Sequence, residues 1–123
     1  MIAFALCHLH ESAFAGHIDV VPAGDRNLWQ SDPFYMLVKD DTVFGRGTVD
    51  MKGSIACALV AVSQFFKENK NHRGTISFLL TTDEEGDGIY GLKEMLEHIK
   101  NFELKIDFCI LGELPPNMRL EIR

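Results

Sequence analysis

The stretch TISFLLTTDEEG, residues 75–86, decides the fold. Ile76, Phe78, Leu79 and Leu80 put apolar groups at odd and even positions alike, so a strand here is apolar on both faces. That is the pattern of a central strand in a sheet covered on both sides. It ends abruptly in three acids, Asp83, Glu84 and Glu85. Upstream, Met51, Ile55, Leu59, Val62, Phe65 and Phe66 recur at three-and-four spacing, which predicts a helix over 51–69. Before it, FYMLV and TVFGR flank KDD as a short hairpin, with Pro33 at a loop or edge. Earlier still, SAFAGHIDVV (12–21) predicts a buried strand running into a turn at 22–24. Downstream, 90–100 predicts an amphipathic helix with Leu92, Met95, Leu96 and Ile99 inward and Asp87 as its N-cap. IDFCILGE (106–113) predicts another buried strand. Strand, helix, strand, helix, strand is the layout of an α/β fold, a three-layer αβα arrangement around a mostly parallel sheet.

Composition narrows the function classes. The 123 residues are 46% apolar, enough for a core of one modest domain. Eighteen acidic against twelve basic residues give a net charge of −6, with no basic cluster, so nucleic acid is a poor partner and a site that holds cations fits better. Cys7, Cys57 and Cys109 stand singly among apolar neighbours without a C-x-x-C, the pattern of reduced core thiols in a cytoplasmic protein. The start MIAFALCHLHESAFAG lacks a positive n-region and is interrupted by His8, His10 and Glu11, so it does not read as a secretion signal. No apolar run is expected to span a bilayer, and no membrane anchor is expected.

The polar residues fall at the strand ends. His17 and Asp19 end the first strand, Asp83, Glu84 and Glu85 the second, Glu113 the third, and Asp50 precedes the long helix. Ligands of open α/β sheets gather at the carboxyl ends of the strands, which would bring these groups to one edge. Carboxylates gathered there repel unless a cation sits among them. One imidazole with several carboxylates suits Zn²⁺ or another borderline divalent ion, and the number of acids suggests two ions sharing a carboxylate. Of the adjacent pair Glu84 and Glu85, one can bind metal while the other takes a proton from water. Asp19 can accept the second imidazole N–H and fix the His17 tautomer. Taken singly, each has a plainer reading: His17 as a hydrogen-bonded strand-end residue, DEEGD as a solvated loop, Asp50 as a helix N-cap, Glu113 as a loop acid. HLH at 8–10 has no acid placed with it.

The motifs together carry more than their parts. GHIDVVPAGD, Trp29 with DPF at 32–34, FGRGTVDMKG at 44–53, TTDEEG at 81–86 and ILGE at 110–113 occur in this order. Thirty-three residues separate His17 from Asp50, 34 separate Asp50 from Glu84, and 28 separate Glu85 from Glu113. In order and spacing this resembles the zinc aminoacylase and carboxypeptidase family, and within it the branch that removes succinyl groups. VDMKG looks like the deacylases, whereas many dipeptidases of the family carry a second Asp where Met51 stands.

The resemblance implies a truncated zinc-exopeptidase-like catalytic domain over 13–113, with an unmatched segment at 1–12 and a divergent tail at 114–123. It implies two Zn²⁺ ions, with Co²⁺ a substitute: His17 and Glu113 on the first, Glu85 on the second and Asp50 bridging. Glu84 would be the general base and later the proton donor to the leaving amine, and Asp19 would orient His17. The implied reaction is hydrolysis of the amide in N-succinyl-LL-2,6-diaminopimelate, a small-molecule substrate, on the route to diaminopimelate and lysine. The alternatives are a related deacylase such as acetylornithine deacetylase, a family peptidase, or a remnant that only binds a divalent ion.

Two departures accompany the resemblance. Members are considerably longer, with a lid domain that mediates homodimerisation and a last metal-binding histidine. Leu114 also intervenes before Pro115 and Pro116, where the family usually has proline directly after the glutamate. His72, His98, His8 and His10 do not read as replacements for that histidine. The chain by itself is therefore expected to behave as a fragment, with at most one tightly bound ion and little hydrolysis.

Overall fold

The two-sided apolar strand lies inside a four-stranded sheet, as its pattern requires. The structure is a computed structural model that describes residues 2–4, 10–102 and 105–113. Its elements are β1 (Ile2–Phe4), β2 (Glu11–His17), β3 (Leu37–Lys39), β4 (Thr42–Phe44), α1 (Gly53–Glu68), β5 (Thr75–Thr81), α2 (Leu92–Asn101) and β6 (Phe108–Leu111). The sheet runs β1-β5-β2-β6, and β3 and β4 form a separate hairpin. β2 is parallel to both neighbours, pairing Ala15 with Leu79 on β5 and with Leu111 on β6. β1 adds an antiparallel edge to β5.

Side-chain alternation divides the core between the two faces. Ala13, Ala15 and Leu79 are buried with Ile99 of α2, and Met95 and Ile106 pack against them. The small side chains of β2 let that helix approach. On the other face Phe14 and Phe78 meet with ring centroids 5.6 Å apart. Leu59, Val62 and Phe66 of α1 line a cavity there with Ile76 and Phe78. The chain thus forms helix, sheet and helix layers. From β2 it moves to β5, then crosses back past β2 to β6, so the direction of winding reverses at β2. The carboxyl ends of β2 and β6 flank that switch point, where open sheets leave a ligand crevice.

Several boundaries differ from expectation for physical reasons. The first strand ends at His17, with one further bond from Ile18 N–H to the Thr81 carbonyl, because β5 ends there. The hairpin turns on two residues, Asp40 and Asp41, with positive φ of 50° and 56°, a tight turn whose twist suits a hairpin, so Lys39 belongs to the strand and not to the turn. Asp87 does not cap α2. Gly91 occupies that position without a side-chain bond, while the Asp83 carboxylate accepts the Tyr90 N–H and closes the loop before it. Leu92 and Leu96 are exposed, and β6 is an exposed edge strand rather than a buried one among the described residues. Cys57 and Cys109 are likewise exposed, one on α1 and one on that edge, and Cys7 lies outside the described residues.

The stretch Thr48–Glu68 is, against expectation, long and apolar enough to cross a membrane by length and composition alone. It is not one straight helix. Asp50 and Met51 leave helical torsions, and the regular part, α1, has 16 residues. At 1.5 Å per residue that is about 24 Å, short of the roughly 30 Å of a hydrocarbon core.

Gly112, just beyond β6, is fixed by packing. Its N–H bonds the Ala15 carbonyl at 2.9 Å, and a Cβ there would lie 2.8 Å from both Met51 Cε and Phe14 Cε2, and closer still to Phe14 Cζ. The ring edge cannot yield as a flexible chain end can. Gly112→Val is expected to destabilise the chain by about 1–3 kcal/mol through overpacking. A urea titration matching wild type to within about 0.5 kcal/mol, the range of a neutral surface change, would contradict this packing.

Candidate metal centre

His17 closes β2 at the switch point, its side chain 4% exposed. Its Nδ1 lies 3.1 Å from the Asp19 carbonyl and 3.4 Å from Asp19 Oδ1, both acceptors. Nδ1 therefore carries the proton, and Nε2 is bare in the neutral ring. That bare nitrogen faces another acceptor, Asp50 Oδ1, at 3.1 Å. A lone pair and a carboxylate at this distance need a positive charge between or upon them, supplied by a proton on the ring or by a metal ion.

Asp50 reaches this point through a chain of local constraints. The Trp29 indole donates to the Ala23 carbonyl, and the Arg46 guanidinium lies over its ring at 5.1 Å. Arg46 N–H bonds the Pro33 carbonyl at 2.7 Å, tying the strand after the hairpin to the same loop. Gly47 then turns with φ of 80°, which favours glycine, and Lys52 N–H returns to its carbonyl. Asp50 leaves helical torsions within that turn, so its exposed carboxylate lies beside His17 instead of capping α1.

The acids after β5 arrive differently. The chain leaves the ladder at Thr81, so consecutive side chains no longer point to opposite faces. Asp19 Oδ2 accepts the Glu85 N–H at 2.9 Å, which anchors the turn carrying Glu84 and Glu85 against β2. One ligand atom each from His17, Asp50 and Glu85 lies within 4.8 Å of the others. Glu84 and Glu113 line a cavity of about 110 Å³ with His17 at the mouth of the β2–β6 crevice. The fold therefore gathers all six candidate residues, with His17, Asp50 and Glu85 as the tight cluster, Glu84 and Glu113 along the adjoining cleft, and Asp19 beneath.

The donor set fits a divalent ion. One imidazole nitrogen and two carboxylates are hard and borderline ligands, and the nitrogen is oriented through its second ring atom in the manner usual for metal-bound histidine. The expected role of Asp19 is refined: its carbonyl makes the shorter contact with the ring. Its carboxylate divides between Glu85 and a buried Oδ1 that has no hydrogen-bond partner.

Electrostatics of the metal-free chain follow. Burial alone lowers the His17 pKa, but the bond to the Asp19 carbonyl and the Asp50 and Asp19 charges outweigh it, leaving it above 6.5. Burial raises the Asp19 pKa, and backbone N–H bonds from Glu85 and Glu84 outweigh that, holding it below 3.8. By linkage, the His17 contribution to stability is fully present below 6.5 and lost as pH rises through its folded pKa. The Asp19 contribution is present above 3.8 and lost as pH falls through its lowered value. Thermal melting of the metal-free chain is thus expected to peak between those limits. Above pH 6.5 its midpoint should fall, a decline that His17→Gln flattens; an equally steep decline in that variant would contradict the assignment.

One residue at the centre escaped sequence reasoning. Met51 belongs to the expected apolar face of the helix, yet its side chain is completely buried under His17, whose backbone N–H points to Met51 Sδ at 3.2 Å. The available signal was the pair of glycines, Gly16 and Gly112, each beside a site residue, which leave room for it.

Residues 13–121 match the peptidase family M20/M25/M40. A Rickettsia bellii protein named succinyl-diaminopimelate desuccinylase is 57% identical over 101 residues, covering 81% of this chain and 26% of its own length. A Coxiella burnetii protein of the same name is 42% identical over 116 residues, covering 92% of this chain and 31% of its own. The chain spans about a quarter to a third of the length of these curated relatives. Among solved structures, human carnosine dipeptidase 1 superposes with a TM-score of 0.70 at 32% identity, over 83% of this chain and 22% of that one. An M20 family metallo-carboxypeptidase from Sulfolobus solfataricus, Sso-CP2, shares the fold with a TM-score of 0.77 at 24% identity, over 90% of this chain and 25% of that one. With the match running from the middle of β2 to beyond the last described strand, the chain belongs to the peptidase family M20/M25/M40.

Proposed function

We propose that this chain carries the metal centre of an amide hydrolase that converts N-succinyl-LL-2,6-diaminopimelate and water to succinate and LL-2,6-diaminopimelate. The observation that carries the reading is His17 Nε2 facing Asp50 Oδ1 at 3.1 Å, with Glu85 in reach, in a chain 57% identical to a relative named for that reaction. The ion we assign is zinc: His17 and Glu113 would hold a first ion and Glu85 a second, with Asp50 serving both, and the close approach of His17, Asp50 and Glu85 supports ion binding there. When bound, such an ion supplies Lewis-acid polarisation of the amide carbonyl and a lowered pKa for water.

The chain's own residues do the rest. Asp19 keeps the proton of His17 on Nδ1, so that Nε2 stays free to donate. Glu84, on the cleft wall, takes a proton from the attacking water and returns it to the leaving nitrogen. The exposed thiols Cys57 and Cys109 suit a reducing compartment, and we place the reaction in the cytoplasm. The homodimer implied by the resemblance belongs to the same proposal.

A second reading, ion binding without turnover, is favoured by one observation: among the described residues the cluster holds a single histidine. Residues 13–113, grafted in place of the matching segment of the Rickettsia bellii relative, separate the two. The graft is expected to release succinate with Zn²⁺ or Co²⁺ and to stop when a chelator is added. A folded, ion-loaded graft that leaves the amide intact would favour binding alone.

A further inference from the structure

We propose that Met51 is the positioning residue of the metal centre: its buried thioether fixes the main chain of His17 and the gap between the ends of β2 and β6. The inference rests on the metal-site reading and names what sets its geometry.

The parallel ladder explains why a sulfur stands there. Ala15 pairs with Leu111, and its carbonyl accepts from Gly112 N–H, so Ala15 faces β6 with its polar groups. The next residue of β2 facing that side is His17, but β6 has ended at Leu111. The His17 N–H would be left without a ladder acceptor. Met51 Sδ takes it at 3.2 Å, in place of the carbonyl a longer β6 would have provided.

The thioether also acts as a spacer. A Cβ on Gly16 would meet Met51 Sδ at 2.9 Å and Cε closer still, and one on Gly112 would meet Cε at 2.8 Å. Met51 therefore occupies space left by two missing side chains, one before His17 and one before Glu113. Asp50 is its chain neighbour, so one buried side chain touches the supports of His17 and Glu113 while being bonded to Asp50. Methionine fills such a gap and offers a weak acceptor; leucine has nearly the same volume and offers none.

The test compares wild type with Met51→Leu and Gly16→Ala in the 123-residue chain. Nuclear magnetic resonance of the metal-free protein reads the His17 amide and the two ring nitrogens, and competition with a chromogenic chelator reads Zn²⁺ affinity. Met51→Leu is expected to melt near wild type, shift the His17 amide, mix the two ring tautomers and weaken Zn²⁺ about tenfold, the lower range for a group that orients a ligand. His17 resonances unchanged in Met51→Leu would overturn the proposal. If that variant does not fold, Gly16→Ala decides, since it displaces the thioether without removing it: changed signals of the His17 ring nitrogens support the proposal and unchanged ones overturn it, the amide being left aside because a new Cβ on its chain neighbour moves it in any case. Wild type that binds no Zn²⁺ would defeat the metal reading, while the metal-free resonances still judge Met51.

Discussion

Glu84→Gln is expected to reduce succinate release by the graft about 10²–10⁴-fold, the usual contribution of a general acid–base group, while leaving Zn²⁺ affinity within about threefold. Glutamine keeps the length and hydrogen-bonding reach of the side chain but cannot take a proton from water. Position separates Glu84 from its neighbour. Glu85 belongs to the cluster with His17 and Asp50, whereas Glu84 lines the cleft beside His17 and Glu113. The division depends on the turn after Thr81, where Asp19 Oδ2 holds the Glu85 N–H and the strand alternation has ended. Glu85→Gln should show the opposite profile, with affinity falling first. Glu84→Gln at the wild-type rate would remove Glu84 as the base. A large loss of affinity in that variant would exchange the roles of the two glutamates.

The sequence made legible what depends on periodicity and on strand ends. TISFLLT announced an interior strand, and its acids fall where parallel sheets place their ligands; β5 and the turn after it follow that reading. Asp50 was legible as a site residue but not as a shape, because its approach depends on the Arg46–Trp29 stack and the Gly47 turn, which join residues far apart in the chain. Met51 departs from its periodicity for a related reason. Helical periodicity assigned it to the face of α1, whereas the torsions at Asp50 and Met51 turn it under β2. Exposure was the least legible property. IDFCIL has the composition of a buried strand, and whether such a strand is interior or edge depends on what lies beside it, which composition does not encode. Asp87 failed as a cap because Asp83, four residues earlier, makes the bond that shapes the loop.

His17→Ala is expected to abolish ion binding, with Zn²⁺ affinity falling more than about 100-fold, beyond the range for loss of a group that merely orients a ligand. Three properties of the His17 ring set that magnitude. The His17 ring is the only nitrogen donor of the cluster among the described residues, and the remaining Asp50 and Glu85 are exposed carboxylates that water and salt compete for. Its ring is buried and held at both nitrogens, so an ion binding there meets a donor already oriented, with little side-chain freedom left to lose. Its removal also leaves Asp19 and Asp50 without the positive group between them, and the mutual repulsion of the acids opens the centre further. Asp19→Asn separates these contributions. The Asp19 carbonyl that holds Nδ1 survives that change, while the carboxylate that pins Glu85 loses its charge, so affinity should fall only about tenfold. His72→Ala, altering a ring packed at a tilt against Phe66 away from the cluster, should leave affinity unchanged. Isothermal titration of the three variants with Zn²⁺ orders them directly. Equal affinity in His17→Ala and His72→Ala would place the ion elsewhere and remove the centre on which the hydrolase reading stands.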